Sequence, residues 1–233
     1  MTDERPDCCF DEWARSNRGR ASKRETAAGI TAHLLAALQE AGLRGRTVLD
    51  VGCGTGDLAL ATLARGATRI TGVDLGSGAI ESARSLAQER GLADRASFSV
   101  GDGSADPLPR ADVVVLNRVI CCFPDADALL ANTLPAASAV FAMTAPVDRG
   151  AAGLFNRVLG WMGNLWYGMR RAKYRGFRVS IHDLDAADAR IRGAGFSPLR
   201  RERRRVVWDL AVYGRPGASP AAGSPAPSPR ASS

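Results

Sequence analysis

The chain has 233 residues, 45% of them hydrophobic, 24% charged and 6% aromatic, with 31 Lys and Arg against 24 Asp and Glu for a net charge of +7. That balance excludes an intrinsically disordered chain, and no stretch reaches about 18 uninterrupted apolar residues, which excludes a membrane-spanning helix. The opening Met1-Thr2-Asp3-Glu4-Arg5-Pro6-Asp7 lacks the apolar core of a secretory signal, and five Cys without framework spacing suit reduced thiols, so a cytoplasmic location is expected.

Residues 1–21 read as a lead-in segment. From 22 to 41, Ile30, Leu34 and Leu38 recur at helical spacing, Leu35 widens the stripe, and Gly42 stops it. Thr47–Val51 is a short apolar strand that runs into Gly52-Cys53-Gly54-Thr55-Gly56. A helix over 57–65, a strand over 69–74 and a helix over 77–90 follow, the helices closed by Gly66 and Gly91. Strands come next at 96–100 and 112–116, the latter continuously apolar as befits burial on both faces. A helix over 125–137 and a strand over 139–144 complete an alternation that predicts an α/β fold, a parallel sheet with helices on both sides.

After Pro146 the pattern changes. Leu154, Phe155, Val158, Leu159, Met162, Leu165, Trp166 and Met169 fall on one face of a helix over 151–169. A helix over 183–194 ends at Gly195. Two strands, 199–205 and 206–214, follow without a helix between them, which implies an antiparallel hairpin at the sheet edge. From 216 to 233 the chain is Gly, Ala, Ser and Pro with a single Arg, the composition of a disordered tail. The expected organisation is a segment 1–21, one domain 22–215 with an insert at about 147–180, and a tail 216–233.

The sharpest signal is the loop Asp50-Val51-Gly52-Cys53-Gly54-Thr55-Gly56 between the first strand and the next helix. Glycines there let the backbone approach a ligand and aim amides at it. Asp74 ends the second strand, where a carboxylate can accept from both hydroxyls of a ribose. Together they indicate an adenosine-bearing cofactor. A dinucleotide fingerprint requires G-x-G-x-x-G, whereas the third glycine here comes one place early, so the loop fits S-adenosylmethionine better than NAD.

On that loop, on Asp74, on Gly101-Asp102-Gly103 and on Asp112 to Asn117, the sequence resembles the class I S-adenosylmethionine-dependent methyltransferases over roughly residues 25–215. The resemblance implies a seven-stranded, mostly parallel Rossmann-like sheet with an antiparallel last strand. It also implies that Gly52, Cys53, Gly54 and Gly56 line the methionine part of the donor and that Asp50 engages its amino group through water or backbone. By the same resemblance Asp74 holds the ribose, Leu75 packs on the adenine, Asp102 takes the adenine amino group with Gly103 adjacent, and the backbone at Asn117 and Arg118 lies beside the methyl donor. Phe10-Asp11-Glu12-Trp13-Ala14-Arg15 looks like the segment that opens magnesium-protoporphyrin methyltransferases and several small-molecule methyltransferases, which implies an N-terminal lid.

The acceptor side is less legible. Methyl transfer from a sulfonium is an in-line displacement, and a base is needed only where the acceptor loses a proton. His182, after the insert, is a candidate base or else a helix cap; His33, inside the first helix, reads as structural. Asn117 can orient an acceptor and Arg118 can pair with an acidic group on it. The pairs Cys8-Cys9 and Cys121-Cys122 could take a thiol or a soft metalloid, but neither has zinc-type spacing, and buried, inert thiols are the favoured reading. No metal site is expected. The 151–169 helix reads as wall or roof of the acceptor pocket, as a cover for the core, or, with the basic run to Arg178, as a contact for an anionic membrane surface. The run Arg200, Arg201, Arg203, Arg204 and Arg205 reads as a solvated edge strand rather than a nucleic-acid contact.

The reading is therefore a methyltransferase acting on a small, partly apolar metabolite, at oxygen. Sulfur or metalloid methylation, RNA methylation and donor binding without catalysis are the alternatives.

Overall fold

The computed structural model describes residues 29–169, 177–204 and 207–218; the proposed lid and the tail beyond residue 218 lie outside the described residues. Runs of small and branched apolar residues make three central strands, β1 (Thr47–Val51), β4 (Ala111–Asn117) and β5 (Ala137–Pro146). They are flanked by β2 (Arg69–Asp74) and β3 (Ala96–Val100) on one side, and by β6 (Ser197–Arg204) and β7 (Trp208–Gly214) on the other. The order across the seven-stranded sheet is β3-β2-β1-β4-β5-β7-β6. Strands β1 to β5 pair in parallel, and β7 runs antiparallel to both β5 and β6. The terminal hairpin expected from sequence is present, with β7 inside and β6 as the edge.

Six helices are described: α1 (Ile30–Glu40), α2 (Asp57–Ala64), α3 (Ser77–Glu89), α4 (Ala126–Thr133), α5 (Gly150–Met169) and α6 (Leu184–Gly193). Alternate residues of the strands feed two cores. Leu34, Leu38, Leu58, Ile80 and Phe98 pack with Val212 on one face of the sheet, under α1, α2 and α3. Leu129, Leu130, Ile191 and Phe141 pack with Tyr213 on the other, under α4 and α6. Helix α4 stops at Thr133, short of the expected boundary, because Pro135 has no amide to donate; Leu134–Ala136 become a 3-10 turn.

Going from β1 to β2 the chain moves one way across the sheet, and from β4 to β5 the other. The reversal leaves a crevice at the carboxyl ends of β1 and β4, the place where open α/β sheets bind ligands.

Helix α5 forms over the expected residues but with the opposite orientation. Ala152, Gly153 and Asn156 are buried, whereas Leu154, Trp161 and Met169 are 66%, 67% and 71% exposed. It therefore covers neither core, which corrects that expectation from its periodicity.

Candidate functional site

The first crossover is shaped by backbone groups. As β1 ends, the amides of Gly52 and Cys53 both donate to the Val73 carbonyl, at 2.7 and 3.1 Å, and draw the loop across the end of β2. Gly52 has φ 73, and a Cβ there would meet a Val119 methyl at 2.3 Å. Only glycine fits both the left-handed backbone and that approach. Asp74 closes the geometry. Its Oδ2 accepts from the Gly54 amide and its Oδ1 from the Gly76 amide, each at 2.8 Å. The carboxylate thus stands between the glycine loop and the turn after β2.

A cavity of about 490 Å³ opens at this crevice. On the loop side Gly52, Gly54, Thr55, Asp74 and Leu75 line it, together with Gly101 and Gly103 from the segment after β3. At Gly103 a Cβ would overlap a Val51 methyl at 2.3 Å, so this backbone too comes close because it has no side chain. On the far side stand Asn117, Arg118, Val119, Cys122, Phe123, and then Phe177 and Trp208. Trp208 arrives there because β7 is antiparallel: its first residue pairs with Pro146, the last of β5.

Asp50 lies behind this wall, 1% exposed and without a hydrogen-bond partner for either carboxylate oxygen among the described residues. Burial first, and then the charge of Asp74, push its carboxyl up to about 8, with a weak opposing pull from the Ala59 amide. The buried Cys53 thiol is pushed upward by the same desolvation and by Asp74 and Asp50, so it stays protonated.

The far side is organised by Thr144. Its hydroxyl, fully buried on β5, donates to Asn117 Oδ1 at 2.9 Å and accepts the Arg118 amide at 2.8 Å, while Asn117 Nδ2 donates to Thr31 of α1 at 3.2 Å. These bonds hold Arg118 at φ 61, the one non-glycine residue with positive φ among those described. Such strain persists where the surroundings over-determine it and clusters at functional sites. Both cysteine thiols of the next turn point at the Arg118 carbonyl, at 3.6 and 3.7 Å, with their sulfurs 4.0 Å apart. The Cys122 thiol, with a smaller contribution from the Arg118 charge, lowers the pKa of Cys121 against the opposing effect of burial.

Of the expected site residues, Gly52, Gly54, Asp74, Leu75, Gly103, Asn117 and Arg118 line the cavity. Asp50, Cys53, Gly56, Asp102 and His182 do not. Gly56 instead caps α2 in a left-handed conformation, packed against Ala83 and Phe98. Asp102 turns one carboxylate oxygen back on its own loop, accepting from the Ser104 amide at 2.8 Å and hydroxyl at 2.6 Å. His182 Nε2 lies 2.9 Å from the Phe123 carbonyl, which can only accept, so Nε2 carries the proton and Nδ1 alone could act as a base. Asp183, not His182, caps α6, accepting from the Asp185 and Ala186 amides at 2.9 and 3.1 Å. Cys121 is buried as expected, whereas Cys122 faces the cavity; Cys8 and Cys9 lie outside the described residues. Phe177 and Trp208 were not legible in advance; their only signal was an aromatic side chain at the end of the insert and at the start of the last strand. No α5 residue lines the cavity. Among the described residues no group of three or more metal-ligating side chains converges. On β6, Arg200 pairs with Glu40 and Glu202, and Arg201 with Asp209, which fits the expected solvated edge.

Residues 48–136 match the family described as a methyltransferase domain. Among curated relatives, the ribosomal protein L11 methyltransferase of Enterobacter sp. (strain 638) is 43% identical over 75 residues, 32% of this chain and 25% of that one. The protein of the same name from Yersinia pseudotuberculosis serotype IB (strain PB1/+) is 36% identical over 124 residues, 53% of this chain and 42% of that one. The chain thus aligns with less than half the length of these relatives. Magnesium protoporphyrin IX methyltransferase from Synechocystis PCC 6803, solved with bound SAH, superposes with a TM-score of 0.67 at 20% identity, covering 88% of this chain and 96% of that one. The 4+2 cyclase SpnF superposes with a TM-score of 0.63 at 22% identity, over 85% and 84% of the two chains. These two likenesses establish the fold, and a cyclase among them illustrates that the fold alone does not fix the reaction.

The crevice fits S-adenosylmethionine on its own chemistry. Asp74 would take the ribose hydroxyls, and the amides and bare backbone of Gly52, Gly54 and Gly103 would lie against the donor. When bound there, the donor supplies a methyl group on a positively charged sulfur. Residues 48–136 thus match a methyltransferase domain, set in a seven-stranded sheet with a glycine crevice and the fold of a solved methyltransferase.

Proposed function

We propose that the chain transfers the methyl group to a small, partly apolar metabolite, at an oxygen atom. The observation that carries this reading is the far half of the cavity, where Val119, Cys122, Phe123, Phe177 and Trp208 form an apolar, largely aromatic wall beside Arg118 and Asn117. Such a wall suits the ring or chain of a small molecule, with a few polar groups to fix its orientation. Arg118 takes an acidic group on the acceptor and Asn117 orients it. Holding an acceptor in line is worth about 7–11 kcal/mol in displacement reactions, so rigid placement of these groups supplies much of the acceleration. His182 acts here as a positioning residue, fixing the Phe123 wall through Nε2.

The partial match to ribosomal protein L11 methyltransferases favours a second reading, methylation of a protein. The experiment that separates them is formation of S-adenosylhomocysteine with four kinds of acceptor: hydroxylated apolar metabolites, thiols and arsenite, bulk RNA, and purified ribosomal protein L11. Turnover with the hydroxylated metabolites alone is expected. Turnover with L11 or RNA would overturn the small-molecule reading. Tight donor binding with no turnover on any acceptor would leave a donor-binding protein.

A further inference from the structure

Helix α5 reverses the ordinary amphipathic arrangement. The positions turned to the body are small or amide-bearing: Ala152, Gly153 and Asn156 are buried, and Gly160, Gly163 and Asn164 are half-buried. Asn156 donates to the carbonyls of Val147 and Val207 at 2.8 and 2.9 Å. Asn164 donates to the Val179 carbonyl at 2.9 Å and accepts the Val179 amide at 2.7 Å. The outer face carries Leu154, Phe155, Trp161, Met162, Leu165 and Met169, all 52% to 71% exposed. Burying one such side chain stabilises by about 1.5–3 kcal/mol, and monomeric proteins rarely leave so many of them contiguous and uncovered.

The charge pattern of the sequence says what covers this face. Within α5 there is one charged residue, Arg157, and no Asp or Glu. The sequence that follows Met169, outside the described residues, holds Arg170, Arg171, Lys173 and Arg175, and Arg178 comes soon after. An apolar helix face with two tryptophans, Trp161 and Trp166, followed in sequence by a cluster of cations is the pattern of a helix lying in the plane of an anionic bilayer. No helix among the described residues is long and apolar enough to cross a membrane. A second copy of the chain would need acids to answer these cations, and the helix offers none. The face is also coupled to the cavity. Residues 177–182 bond to α5 through Val179 and to the cavity wall through Ser180, whose amide donates to the Cys121 carbonyl at 2.8 Å, and through His182; Phe177 at their head lines the cavity.

We propose that the outer face of α5 docks in the interface of an anionic lipid bilayer, linked to the acceptor side of the cavity by residues 177–182. Lipid binding needs no donor turnover, so this inference stands or falls apart from the methyl-transfer reading. The test is co-sedimentation of the full chain with phosphatidylglycerol-rich vesicles and with phosphatidylcholine vesicles. Binding to the former is expected to be about tenfold tighter or more, and to weaken as salt is raised. Trp161→Asp combined with Leu165→Asp, both exposed positions, is expected to weaken it by a further factor of about ten or more, with the affinity for S-adenosylhomocysteine unchanged as proof of an intact fold. Three results would overturn the proposal: no binding to anionic vesicles at low salt, binding that the double variant leaves intact, or a dimer in solution that the double variant converts to monomers.

Discussion

Arg118 and His182 both act through backbone geometry, and each can be tested by a substitution that separates shape from charge. Left-handed backbone costs a non-glycine residue about 1–2 kcal/mol. Arg118→Gly should therefore leave the melting temperature unchanged or raise it, while turnover on an acidic acceptor falls; thermal denaturation and steady-state kinetics check the two halves. For His182, Gln keeps an N–H that can reach the Phe123 carbonyl and Ala does not. If the imidazole positions the wall, His182→Gln retains most of the activity and His182→Ala loses about tenfold, in the range of one hydrogen bond. Equal loss in both would make it a base. At this scale the sequence spoke clearly where function rests on neighbouring residues: the glycines and Asp74 sit within one crossover, so spacing alone places them. Phe177 and Trp208 escaped it because three separate segments must fold before they meet. Asp102 could be named but not oriented, since Ser104 beside it competes for its carboxylate.

Among the elements, the turn after β1 tolerates little change. Gly52→Ala combines strained backbone with a Cβ that overlaps Val119, and should cost about 2–5 kcal/mol, the sum of a left-handed penalty and overpacking, measurable by urea denaturation. Helix α5 poses a different test. Asn164→Ala removes both bonds to Val179 and frees the segment that carries Phe177, so it should raise KM for the acceptor and leave S-adenosylhomocysteine affinity unchanged. The apolar period over 151–169 told that a helix forms there and was silent on which way it faces, because periodicity records a stripe and not its surroundings. The core-facing stripe of α1 and the outward stripe of α5 read alike in sequence. What distinguishes them is the opposite face: Gly and Asn at the body side of α5 are a signal that a search for apolar residues passes over.

For the molecule as a whole, Asp50 makes stability depend on pH. Its carboxyl is ionised in the unfolded chain above 3.8, while the folded chain holds the proton to about 8. Between those values the folded state binds more protons, so this group makes stability fall as pH rises across the window, by at most about 1.4 kcal/mol per pH unit, and the loss levels off above the folded value. Asp50→Asn should thus be more stable than the wild type near about pH 8 and converge with it near about pH 4; denaturant midpoints across that range check the sign. The architecture was legible in sequence, strand by strand, because alternation and apolar content dictate a parallel sheet. The acceptor was not, because its wall comes from the insert and the last strand, where no local pattern fixes the chemistry.

The most direct measurement is calorimetric titration of S-adenosylhomocysteine into the wild type and into Asp74→Ala. A carboxylate that grips a ribose contributes about 1.5–3 kcal/mol per hydrogen bond, so the variant is expected to bind about ten- to a hundredfold more weakly while remaining folded. Equal affinity in the two proteins would contradict the placement of the donor in the crevice between β1 and β4.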